Sequence, residues 1–128
     1  MRIEIAFKHQ YEAQLRNEFR TKTDHIIRAI TWDLAFWLYC NYHITLLITC
    51  LCRDKIENNK VGGNPTSRHL ETSCRAVDYR IRDWPKEAIP AAISYLKDTW
   101  GDLIWVLDEK NHIHLQLSRA KFPSGSLK

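Results

Sequence analysis

Ile26, Ile27, Ile30, Leu34, Trp37 and Leu38 recur at the step of an α-helix, and soon afterwards Ile44-Thr45-Leu46-Leu47-Ile48-Thr49-Cys50-Leu51-Cys52 runs as β-branched and apolar sequence. No other feature narrows the fold as far. The first pattern demands a buried helical stripe and the second a buried strand. Thr23 or Asp24 supplies an N-cap for the helix, which is expected to reach about Tyr42. Asn41 keeps the step but is polar, so the stripe stops short of it. Trp32 and Phe36 widen the stripe, which predicts packing on more than one side of this helix.

The flanking sequence adds smaller elements. Ile3 to Phe7 alternates as a short strand, and Leu15 and Phe19 stand four apart on an amphipathic helix from about Tyr11 to Arg20. Asn58-Asn59, Gly62-Gly63 and Asn64-Pro65 place a long turn-rich loop between Asp54 and Pro65, after which Arg75 to Ile81 resumes as a strand. Pro85 opens a helix that Pro90 interrupts near its first turn; Ala91 to Trp100 continues it and Gly101 ends it. Leu103 to Leu107 and His112 to Leu117 form a hairpin around Asp108-Glu109-Lys110-Asn111. The expected class is α+β, with N-terminal helices packed on a small antiparallel sheet. No linker or repeat divides the 128 residues, so one domain over 1–128 is expected, with a loose tail over about 120–128.

Charge excludes little. Lys and Arg number 19 against 15 Asp and Glu, a mild excess that suits any anionic surface and selects none. Arg16, Arg20, Lys22 and Arg28 are interleaved with acids, as on a solvated helix face, so nucleic acid is not an expected partner. Arg2, Glu4, Lys8 and His9 break up the start of the chain, which therefore does not read as a signal peptide. Ile26 to Cys52 carries Arg28, Asp33 and His43 and does not read as a membrane span. A monomer resident in the cytoplasm is expected. For Cys40, Cys50, Cys52 and Cys74, a reducing compartment predicts buried free thiols. Cys50 and Cys52, two apart in one strand, suit neither a disulfide with each other nor a zinc knuckle.

Chemistry concentrates near the C-terminus. In a strand, residues two apart share a face, so His112, His114 and Gln116 project together while Ile113, Leu115 and Leu117 enter the core. His69 in the preceding loop and Asp78 on the preceding strand add an imidazole and a carboxylate. Two histidines and one carboxylate can hold zinc with a fourth position left for water. Glu109, in the turn before His112, is placed to take a proton from that water.

Ser67-Arg68-His69, then Ala76-Val77-Asp78, then Glu109 ahead of His112-Ile113-His114 resembles the D-alanyl-D-alanine carboxypeptidase and phage endolysin group of zinc peptidases, related in fold to the hedgehog signalling domain. The strand ending at Arg53, with Asn58 and Gly62-Gly63, extends the resemblance over roughly Ile44 to Leu117. It implies His69, Asp78 and His114 as zinc ligands and Glu109 as general base, with His112 orienting water or steadying the oxyanion. Arg53 and Ser67 fall where the group contacts substrate. In an alternative register, set by Glu109 standing three residues before its ligand, His112 binds the metal instead. This chain has eight residues between His69 and Asp78 where the group has six, and Cys74 replaces a glycine. The implied activity is hydrolysis of a peptidoglycan stem peptide or a D-Ala-containing dipeptide, of the D-Ala-D-Ala carboxypeptidase or L-Ala-D-Glu endopeptidase type. A phage or prophage lysis enzyme, released to the cell wall on lysis, fits that activity. The alternative is an inactive zinc-stabilised binding domain of the same fold.

Overall fold

The computed structural model of the chain describes residues 2–52 and 74–122. Arg53, Ser67 and His69 lie outside the described residues. In chain order the elements are β1 (Ile5–Phe7), α1 (Glu12–Thr21), α2 (His25–Tyr42), β2 (Leu46–Cys50), β3 (Ala76–Arg80), α3 (Ala88–Trp100), β4 (Ile104–Asp108) and β5 (His112–Leu117). Short 3-10 turns precede α1 and follow α3. Three helices and a five-stranded sheet make the class α+β.

Helix α2 forms where its periodicity and cap require. The Asp24 carboxylate accepts the Ile26 N–H at 2.8 Å, satisfying one of the donors a helix leaves unpaired at its start. The helix ends at His43, whose φ of 55° is left-handed and whose N–H reaches back to the carbonyls of Leu38 and Tyr39. Ile27, Ile30, Leu34 and Leu38 are fully buried. Trp32 and Phe36, however, are 47% and 52% exposed, so α2 does not pack on the side they occupy. They stand roughly 200° around the helix from Ile30 and Leu34, which turns them away from the sheet.

Helix α3 begins at Ala88 and runs through Pro90 without a break, which corrects the expected interruption. The third helical residue has no intrahelical acceptor for its N–H, so proline removes nothing there. Beyond β5, the Phe122 N–H donates to the Ser118 carbonyl at 2.7 Å and its side chain packs against the core, so the chain is anchored this far.

The sheet order is β1-β2-β3-β5-β4. It is mixed, not wholly antiparallel: β1 pairs in parallel with β2, through Ile5 with Leu46 and Phe7 with Ile48. The two helices between these strands are the crossover that parallel pairing needs. The other pairings are antiparallel, and β2 against β3 contains a register shift between Ile48 and Cys50. All three helices cover one face of the sheet. Tyr79 marks that face, since its hydroxyl lies 2.8 Å from Thr31 of α2 in the core. Thr31 donates its one proton to the Ile27 carbonyl at 2.7 Å, so Tyr79 must be the donor between the two hydroxyls. Val77, Ile113, Leu115 and Leu117 are fully buried in the same core.

The cysteines depart from expectation. Cys52 and Cys74 form a disulfide, with Cα atoms 5.3 Å apart, while Cys40 is a free thiol at the surface. The reason is topological. Cys52 lies two residues past β2 and Cys74 two residues before β3, so antiparallel pairing of these strands brings the two together. Backbone hydrogen bonds from Cys74 N–H to the Lys22 carbonyl and from Asp24 N–H to the Cys74 carbonyl, both 3.0 Å, fix Cys74 beside the start of α2.

Candidate functional site

Antiparallel pairing of β3 with β5 sets Asp78 directly opposite His114, Arg80 opposite His112 and Ala76 opposite Gln116. Alternation along β3 puts Asp78 on the face opposite Tyr79, away from the helices. On β4, Leu107 pairs with His114 and Trp105 with Gln116, so Trp105 shares the face. One side of the sheet thus gathers a carboxylate, two imidazoles, an amide and an exposed indole.

The distances are close. Asp78 Oδ1 lies 2.8 Å from His114 Nδ1, and both side chains are nearly buried. An ionised carboxylate only accepts, so His114 Nδ1 carries a proton and donates it. The other nitrogen, Nε2, lies 2.9 Å from the Gln116 side-chain amide, and the ring edge meets Trp105 at 6.4 Å between centroids. His112 Nε2 faces two carboxylates, Asp78 Oδ2 at 3.8 Å and Glu109 Oε2 at 3.7 Å. Its Nδ1 lies 2.6 Å from Asn111 Oδ1, which leaves Nε2 as the nitrogen directed at the carboxylates. The turn that delivers Glu109 is tight: Lys110 has φ 65°, and Glu109 N–H donates to the His112 carbonyl at 2.9 Å.

Two features of this face escape sequence reading. The register shift in β2 lies beside Asp78, and Thr49 within it donates to the Asp78 carbonyl at 3.4 Å. Such shifts re-aim side chains and recur near functional sites. Next to His112, a cleft of about 310 Å³ is lined by Lys8, Thr49, Arg80, Arg82, Asn111 and His112. Its three basic residues come from β1's end, β3 and the turn after β3, and nothing in their spacing announces the convergence. Trp105 becomes visible as a neighbour only once the hairpin register is known.

Of the expected site, Asp78, Glu109, His112 and His114 come together, whereas His69, Arg53 and Ser67 lie outside the described residues. Among the described residues no group of three His, Cys, Asp or Glu is spaced to hold a metal ion. His112 Nε2 stands 3.7 Å from Glu109 and 3.8 Å from Asp78. Ligand atoms on tetrahedral zinc, with bonds near 2.1 Å, stand only about 3.4 Å apart. The donor chemistry still suits zinc, since imidazole and carboxylate are its usual partners. No helix among the described residues is long and apolar enough to cross a membrane. No family model, curated protein or solved structure matches the chain.

Proposed function

We propose that this chain is a zinc-dependent peptidase acting on short cell-wall peptides, of the D-Ala-D-Ala carboxypeptidase or L-Ala-D-Glu endopeptidase type, on a hedgehog-like fold. The observation that carries this reading is the grouping of Asp78, His114, His112 and Glu109 on one face of the sheet, with the Asp78 carboxylate facing both imidazoles. His69, Asp78 and His114 would hold the metal. Zinc, when bound, supplies a Lewis acid that acidifies water and polarises a carbonyl.

The chain's own residues do the rest. Glu109, at 44% side-chain exposure, reaches solvent and can take a proton from water and pass it to the leaving amine. With Nδ1 held by Asn111 Oδ1, His112 Nε2 donates only when the ring is an imidazolium. In that form it would steady the oxygen that gains charge when the carbonyl is attacked. Lys8, Arg80 and Arg82, lining the cleft beside His112, offer cations to the carboxylates of a stem peptide, with Arg53 and Ser67 as further contacts. Trp105 supplies an apolar wall.

A digest of purified muropeptides, analysed by mass with and without chelator, tests the reading. Metal-dependent release of D-Ala or of a cleaved stem peptide is the expected result. Full activity in Glu109→Ala would sink the mechanism.

A second reading keeps the fold and drops turnover: a zinc-stabilised binding domain. Asp78, His114 and Gln116 form a hydrogen-bonded chain across the sheet, which can steady the fold whether or not the protein turns over substrate. Such a protein binds zinc yet releases no product with Glu109 intact.

A further inference from the structure

On the helical side of the molecule, away from Asp78 and His114, a cleft of about 610 Å³ opens between β1, α1 and α2. Four arginines line it, Arg2, Arg16, Arg20 and Arg28, against a single carboxylate, Glu4. Each helix contributes an i, i+4 pair: Arg16 with Arg20 from α1, and Arg28 with Trp32 from α2. Residues four apart stack on one helix face, so two such pairs across a cleft make walls of fixed composition.

The arginines are not equivalent. Arg2 pairs with Glu4 and Arg16 with Glu12, each at 3.1 Å on the exposed rim. Arg16 also lies over the Phe7 ring, 5.0 Å from its centroid. Arg20 and Arg28 have no carboxylate partner among the described residues. Arg28 Nη1 donates to the Arg20 carbonyl at 3.1 Å, while its Nε is shielded from water with no acceptor. That Nε faces the protein, so Arg28 adds positive charge to the cleft, and Arg20, exposed on α1, is the guanidinium open to a ligand. Beside Arg28 stands Trp32, 47% exposed despite its size.

We propose that this cleft is a binding site for a phosphate attached to a planar base, that is, a nucleotide or the end of a single-stranded nucleic acid. The phosphate meets the guanidinium of Arg20, whose planar fork matches its oxygens, with the charge of Arg28 beside it. The base stacks on the indole of Trp32. The volume is that of a small-ligand pocket. This site is independent of the zinc reading.

Calorimetric titration of the full chain with AMP, adenosine and inorganic phosphate tests it, alongside anisotropy of a fluorescein-labelled eight-nucleotide DNA strand. AMP is expected to bind more tightly than either adenosine or phosphate alone. Trp32→Ala should weaken AMP by about tenfold or more, the usual worth of one stacked base. Arg20→Gln, at an exposed position, should weaken AMP by a similar factor and flatten the salt dependence of DNA binding. Binding of AMP assigns the site to free nucleotides, and binding of the DNA strand alone assigns it to strand ends. No binding of either, equal affinity for phosphate and AMP, or indifference to both substitutions in proteins with unchanged circular dichroism would overturn the proposal.

Discussion

His114 and His112 stand two residues apart on one strand face, yet their surroundings differ. His114 is clamped between Asp78 and Gln116, at 2.8 and 2.9 Å, whereas His112 turns one nitrogen toward Asp78 and Glu109 at 3.8 and 3.7 Å. If His114 is the ligand, His114→Ala abolishes stoichiometric zinc binding, and His112→Ala keeps the metal while lowering kcat by about a hundredfold or more. Elemental analysis of the two purified variants decides between the registers, since the alternative register reverses the metal result. Tyr79 offers a residue-scale test of the core. Burial pushes its phenol well above the ordinary value of 10.0. Below pH 10 the phenol is neutral in both folded and unfolded chains. Above it the unfolded chain loses the proton first, so stability should fall by about 1.4 kcal/mol per pH unit until the folded group also ionises. Unfolding free energies from denaturant titrations between pH 10 and 12 should show this slope in the parent chain and a shallower one in Tyr79→Phe, in which Thr31 retains its bond to Ile27.

At the scale of the element, α2 was the most legible part of the chain and also the place where pattern misled. The Asp24 cap and the buried run from Ile27 to Leu38 follow from the sequence, because helical period and cap chemistry are local properties. Asp24→Ala should cost about 1 kcal/mol, read as a lowered denaturant midpoint with unchanged slope. Trp32 and Phe36 look like core by hydrophobicity, but exposure depends on what lies across from them, which no local pattern records. Strand β5 shows the same division. Its alternation correctly separates His112, His114 and Gln116 from Ile113, Leu115 and Leu117. That Asp78 would face His114 depended on register with β3, which is set by long-range pairing.

For the whole molecule, the disulfide is the constraint with the largest expected effect. Cys52 and Cys74 are 22 residues apart, and a closed loop of that size restricts the unfolded chain by about 3 kcal/mol. Reduction, or a Cys52→Ala and Cys74→Ala double variant, should lower the unfolding free energy by about that amount in equilibrium denaturation. If loss of the bridge changes stability by less than about 0.5 kcal/mol, the cross-link does not constrain the unfolded ensemble as supposed. Arg16, Arg20 and Arg28 likewise read as a solvated charge pattern in the sequence and line two walls of one cleft only when α1 and α2 pack beside β1.

By itself the sequence determined the helices, the strands and which side of β5 is polar, because period, caps and turns act over a few residues. It also supplied the donor types of the candidate site. The tertiary structure alone decided the parallel pairing of β1 with β2, the Cys52–Cys74 bridge, the outward turn of Trp32 and the meeting of Asp78 with both histidines. Each of these depends on how segments far apart in the chain come together, and that arrangement follows from sheet order and register, which are properties of the folded whole.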